Sequence, residues 1–190
     1  MNDFIQNINT MDEPYLIAEI GINHNGDIDI AKKLIDATNA CGWHCAKFQK
    51  RNPAVCVPEH QKEIERETPW GRMTYIDYKY KVEFEKNEYD IIRNYCLEKP
   101  ISWTASIWDI DSLNFIKNYK VPFIKIPSAH ITNKDLFIES AKSGIPIIIS
   151  TGMSDWKIVD KAVELISRYT DEFSILHCNS TYPAPHFELN

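Results

Sequence analysis

Two lysines stand inside short apolar runs, Lys47 in CAKFQ and Lys125 in FIKIPS, where a core would take Val or Leu. A buried ammonium is costly unless it is paired or faces a ligand. Each lysine therefore either reaches the rim to meet a carboxylate such as Glu19, or clamps a phosphate or carboxylate. Hydroxyls at Ser106, Ser128, Ser150 and Thr151 can donate to the same anion. Gly152, directly after them, lets backbone amides approach it. Taken alone, Ser-Thr-Gly is a weak motif. His24 and His177 invite metal ligation or proton transfer. In ILHC, His177 reads as a hydrogen-bonded residue near the core, whereas the Gly- and Asn-rich loop around His24 leaves both uses open, as does the position of His130 after an apolar run. No HxH or HxxxH pair marks a metal site.

The elements that must position these groups are short β-branched runs alternating with longer segments of helical period, the rhythm of parallel βαβ units. The runs Tyr15–Ile20, Cys45–Gln49, Ile101–Ser106, Pro122–Ile126, Pro146–Ser150 and Phe173–Cys178 predict strands. Ile28–Ala40, Lys86–Glu98, Ile110–Tyr119, Asn133–Lys142 and Ser154–Arg168 predict helices, with Asp27, Asp109, Thr132 and Ser154 as caps. In such folds ligands gather at the carboxyl ends of the strands. Every predicted strand here is followed by polar residues: Glu19, Lys47 with Gln49, Ser106, Lys125 with Ser128, Ser150, and Ser180 with Tyr182. This placement predicts that Lys47, Lys125, Ser128 and Ser150 share one anion pocket. Residues 50–84 break the rhythm, with three prolines and the aromatics Trp70, Tyr75, Tyr78 and Tyr80. A connection of this length is functional or disordered. Its aromatic content predicts an ordered loop with a short helix.

A net charge of -6 excludes a general nucleic-acid surface, which needs clustered cations, but not a small anionic substrate. No apolar run approaches the roughly 20 residues of a membrane-spanning helix, and the first residues lack a basic or apolar leader, so the expectation is a cytoplasmic protein without membrane contact. Five scattered cysteines predict reduced structural thiols.

The segments AEIGINHNG (18–26), KFQK (47–50), TPWGRMTYIDYKYKVEF (68–84), IKIPSA (124–129), ISTGMS (149–154) and LHCNSTYPAP (176–185) together resemble the sialic acid synthase family, in order and spacing, from about residue 15 onward. The resemblance implies an α/β fold of the (β/α)8 barrel type, incomplete, with about six β/α units within residues 1–190. It also implies that the methylene carbon of phosphoenolpyruvate condenses with the open-chain aldehyde of an N-acetylated amino sugar, N-acetylmannosamine or a related bacterial sugar. Water then attacks the former enol carbon and phosphate leaves, giving a nonulosonic acid.

Carried over by position, the resemblance assigns Lys47, Ser106, Lys125, Ser128, Ser150 and Ser180 to phosphoenolpyruvate, and Glu19, Gln49 and Tyr182 to the sugar and metal region. Lys47, Lys125 and Glu19 are the expected catalytic residues, Glu19 for acid/base or water-orienting work. Ser106 stands where some relatives have Thr, and Ser180 where some have Asn. Ala129-His130 replaces a Gly-Glu pair of some relatives, which removes support for acid/base work there. The family's divalent metal (Mn or Mg), its two histidine ligands, its last strands and its C-terminal antifreeze-like domain, which closes the neighbouring subunit's site in a homodimer, imply groups that would follow Asn190. The expectation is no metal ligand within these residues, and a fragment or one half of a split enzyme. The competing expectations are a non-catalytic anion-binding remnant and another phosphoenolpyruvate aldolase-type synthase. NHNG and STYPAP favour the sialic acid type over the latter.

Overall fold

The computed structural model of the chain describes residues 4–188. Residues 1–3, part of the N-terminal stretch read above, therefore lie outside it. The chain divides into two compact units, one of residues 15–118 and one of the remaining described residues. A short helix, α1 (Phe4–Asn9), opens the chain and belongs to the latter unit.

Residues 15–118 carry β1 (Ile17–Gly21), α2 (Ile28–Ala40), β2 (Cys45–Lys50), α3 (Pro53–Cys56), α4 (Glu59–Lys62), β3 (Glu65–Thr68), β4 (Gly71–Thr74), α5 (Tyr75–Val82), α6 (Lys86–Glu98), β5 (Ser102–Ile107) and α7 (Ile110–Ile116). β1, β2 and β5 pair in parallel. Helices α2 and α6 have the bounds that their spacing predicts, because strong local signals fix them. The Asp27 carboxylate accepts from the amides of Asp29 and Ile30. Glu85 and Glu88 form a reciprocal capping box. One face of α2 then buries Ala31, Ile35 and Thr38, and one face of α6 buries Tyr89, Ile92 and Cys96. The long excursion is ordered, as its aromatics suggest, but it holds more than one short helix: α3, α4, the antiparallel β3–β4 hairpin and α5.

The other unit carries β6 (Ile124–Ile126), α8 (Lys134–Lys142), β7 (Ile147–Ser150), α9 (Trp156–Ile166) and β8 (Phe173–Leu176), its strands again parallel. The two sets of strands with interleaved helices are the expected class, an incomplete (β/α)8-type α/β fold, and the described residues after β8 form only a 3-10 turn, His186–Glu188. β7 is buried along its length, as a strand covered on both faces should be, while the edge strand β8 is half-exposed.

Several ends shift from expectation. Asn133 rather than Thr132 caps α8, its side chain accepting from the Leu136 amide. Met153 takes a φ of 61°, which keeps the chain out of helix until Asp155, so Asp155 rather than Ser154 caps α9. β8 stops at Leu176 because its ladder partner, Ser150, is the last residue of β7. All five cysteines are free thiols. Among the described residues no helix is long and apolar enough to cross a membrane.

Candidate active site

In the unit of residues 15–118, parallel register sets Lys47 of β2 opposite Glu19 of β1 and Thr104 of β5, and Gln49 opposite Ser106. The Lys47 side chain is 1% exposed and that of Glu19 is 61% exposed. Its ammonium donates to Glu19 Oε2 and, at 3.1 Å, to Ser106 Oγ. Lys47 thus does meet a carboxylate, and two of its three donors are engaged, leaving one for an incoming anion. The buried end of the pair is the cation and the wet end is the carboxylate, which suits Glu19 to holding or orienting a water. Gln49 accepts through Oε1 from the Arg51 guanidinium, and its carbonyl accepts from the Tyr89 hydroxyl at 2.8 Å.

Beside Gln49 lies a buried charge network that the motifs do not reveal. Lys50 donates to the Phe84 carbonyl at 2.7 Å and to Glu85 at 3.1 Å, and lies 3.4 Å from Glu83. Glu83 accepts from the Arg51 amide at 2.9 Å, and the Arg51 guanidinium rests on the Trp108 ring at 4.6 Å. Burial pushes the Glu83 carboxyl up to about 7 even though Lys50 and Arg51 pull it down. An acid raised in the folded state contributes stability that is complete below its ordinary value of 4.5 and is lost as pH rises through about 7. Between pH 5 and pH 8 the wild type is therefore expected to lose about 2 kcal/mol relative to Glu83→Gln. Urea unfolding of both proteins at the two pH values checks this, and parallel pH profiles would overturn it.

In the second unit, Ser128 opens the turn after β6, and its Oγ accepts from the Gly152 amide at 3.0 Å. A Cβ placed on Gly152 would lie 2.3 Å from Ser180 Oγ and 2.8 Å from Ser128 Oγ. Only glycine admits both hydroxyls this close to its backbone. Ser150, at the end of β7, is 1% exposed, and its hydroxyl has no hydrogen-bond partner among the described residues. Lys125 sits half-buried at the centre of β6, in register with Ile148. Hydroxyls converging on the Gly152 backbone are groups that can donate to an oxyanion.

Other expected residues sit differently. Tyr182 is 93% exposed and forms no hydrogen bond among the described residues. His177 is exposed rather than near the core, because β8 ends one residue before it. His24 is buried, stacked on Phe84 with centroids 3.8 Å apart, and its Nδ1 accepts from the Gly26 amide. Burial pushes it down to about 4. His24 is thus a neutral packing residue. Sequence reading missed Arg51 and Glu83; the only available signals were the charges flanking KFQK and the VEF segment. Among the described residues no group of three or more His, Cys, Asp or Glu side chains is placed to hold a metal ion, so the residues present do not fit the implied Mn or Mg.

The NeuB family profile matches residues 34–190. N-acetylneuraminate-9-phosphate synthase of Drosophila melanogaster is 37% identical over 186 residues, 96% of this chain and 50% of the relative. N,N'-diacetyllegionaminic acid synthase of Legionella pneumophila is 30% identical over 183 residues, 93% of this chain and 51% of the relative. Among solved structures, the N-acetylneuraminic acid (sialic acid) synthetase of Leptospira borgpetersenii in complex with citrate aligns with a TM-score of 0.82 at 28% identity, over 93% of this chain and 57% of that one. The chain spans about half the length of the curated relatives it matches.

Proposed function

The chain belongs to the NeuB family, and from that premise we propose that it supplies the phosphoenolpyruvate-binding part of a synthase joining phosphoenolpyruvate to an N-acetylated amino sugar, N-acetylmannosamine or a related bacterial sugar. In this reaction the phosphoenolpyruvate methylene carbon forms the new C–C bond to the aldehyde carbon, whose oxygen takes up a proton. Water adds to the former enol carbon, and the C–O bond to phosphate breaks, leaving a 2-keto nonulosonic acid and phosphate.

The observation that carries this reading is the approach of the Ser128 and Ser180 hydroxyls to the Gly152 backbone. With the buried Ser150 hydroxyl and Lys125 nearby in the same unit's strands, these donors suit a phosphate or carboxylate. In the other unit, Lys47 with Ser106 offers a charged donor to an anion, Glu19 serves as the acid/base or water-orienting group, and Gln49 serves the sugar. Tyr182 is a further sugar contact in this reading. A divalent metal and a homodimer belong to the complete enzyme, in the cytoplasm.

Calorimetric titration with phosphoenolpyruvate is expected to show saturable binding that inorganic phosphate competes away. Lys125→Met keeps the stem and removes the charge. It should weaken that binding by at least about tenfold while the urea midpoint stays near wild type. No phosphoenolpyruvate binding by the wild-type protein would overturn the reading.

A further inference from the structure

Arg51 directly follows β2 and continues its alternation, so it falls on the face that carries Lys47 and Gln49. The pairing with β5 runs on past the strand end, the Trp108 amide donating to the Lys50 carbonyl at 3.2 Å. Glu83 and Trp108 immobilise the arginine. Its amide donates to Glu83 Oε1 at 2.9 Å, its Nε lies 3.4 Å from Glu83 Oε2, and its guanidinium rests on the Trp108 ring at 4.6 Å. The residue is 5% exposed. One N–H of the fixed guanidinium then turns back along the face and donates to Gln49 Oε1.

This contact decides which end of the Gln49 side chain is left for a ligand. A carboxamide has an acceptor end and a donor end of nearly the same shape, and an unpinned one presents either. A guanidinium has donors only, so only the oxygen of Gln49 can meet it. Nε2 is thereby turned the other way, to the end of β1, where a Cβ on Gly21 would lie 3.3 Å from it. The bare Gly21 backbone, at a φ of 57°, leaves it room. Nε2 forms no hydrogen bond among the described residues, so its N–H groups are open to a ligand.

We propose that Arg51 is a positioning residue for the acceptor sugar: it holds Gln49 by the oxygen, makes the carboxamide a pure donor, and so requires an accepting oxygen on the sugar at that point. The inference rests on the synthase reading for its ligand. Glu83 and Trp108 act one step further out, fixing Arg51 so that little side-chain freedom remains to be lost when the sugar binds. A buried ion pair adds little net stability over well-packed apolar residues. Stability therefore does not account for the third partner of Arg51, and the aiming of Gln49 does.

The test is titration of isotope-labelled protein with N-acetylmannosamine, followed by NMR at the Gln49 side-chain amide pair, which its loss in Gln49→Met identifies. In the wild type the pair is expected to be resolved and to shift as the sugar binds. Arg51→Met should weaken sugar binding about tenfold and let the pair average toward the position of a free side chain. Gln49→Met should weaken binding at least as much. The variant lacking both should bind no more weakly than Gln49→Met, because Arg51 then has nothing left to aim. A further tenfold loss there would make Arg51 a contact of the sugar itself and overturn the positioning role, as would wild-type affinity in Arg51→Met. If Arg51→Met does not fold, Arg51→Met/Glu83→Gln removes both buried charges together and takes its place throughout. Phosphoenolpyruvate titrated alongside separates this inference from the reading beneath it. A wild type that binds phosphoenolpyruvate but not N-acetylmannosamine overturns the inference alone; one that binds neither overturns both.

Discussion

Lys47→Met is expected to weaken phosphoenolpyruvate binding about a hundredfold while leaving the fold standing. The affinity loss follows from the removal of a charge-assisted donor, buried and already aimed by Glu19 and Ser106 so that little ordering remains when an anion arrives. The stability change is small because opposing effects meet there. Methionine matches the aliphatic stem and removes the cost of burying an ammonium. Ser106 loses a hydrogen bond worth about 1 kcal/mol. Glu19, at 61% exposed, returns to water rather than being stranded. Lys50→Met makes the contrast: it would leave the buried Glu83 short of a cation, so it should cost stability as Lys47→Met does not. Titration of Lys47→Met with phosphoenolpyruvate and urea unfolding of both variants check the pair. Wild-type affinity in Lys47→Met would remove Lys47 from the site.

How far the sequence reveals this molecule depends on the range of the interaction that fixes each part. Helices α2 and α6 are legible to the residue because Asp27 and the Glu85/Glu88 box act within one turn, and the buried positions recur at helical spacing. The strands are legible as β-branched runs, and with them the polar residues at their ends. Glu19, Lys47 and Ser106 come together because parallel register aligns strands whose ends were already marked. The hairpin of β3 and β4 is illegible for the converse reason. Its residues are mostly exposed and charged, without alternation, and it is held by a side-chain turn from Thr68 to the Gly71 carbonyl and by the Tyr75 amide bonding to Ile64. Helix α1 is equally hidden: six residues carry no helical period, and Phe4 is held by stacking on Phe123 at 4.9 Å. The Arg51–Glu83 pair and the burial of His24 under Phe84 join residues dozens of positions apart, and no local pattern announces either.

Gly152→Ala should abolish the anion cradle of the second unit, and with it phosphoenolpyruvate binding, by a hundredfold or more on the scale of about 1.4 kcal/mol per decade. The effect is steric rather than conformational, since the obstacle is space. The added methyl would lie 2.3 Å from Ser180 Oγ, 2.8 Å from Ser128 Oγ and 3.3 Å from Ser128 Cβ. At least one hydroxyl must leave, and the bond from the Gly152 amide to Ser128 Oγ is disturbed with it. Stability should fall by only about 1 kcal/mol, because Ser180 lies on an exposed segment after β8 and can move away. Adding Ser180→Ala removes the shorter clash but not the one with Ser128, so the double variant should regain stability without regaining affinity. That split separates a binding cradle from a packing contact: a packing contact would restore both together. If Gly152→Ala binds phosphoenolpyruvate as tightly as the wild type, the meeting of Ser128, Gly152 and Ser180 is a feature of the fold alone.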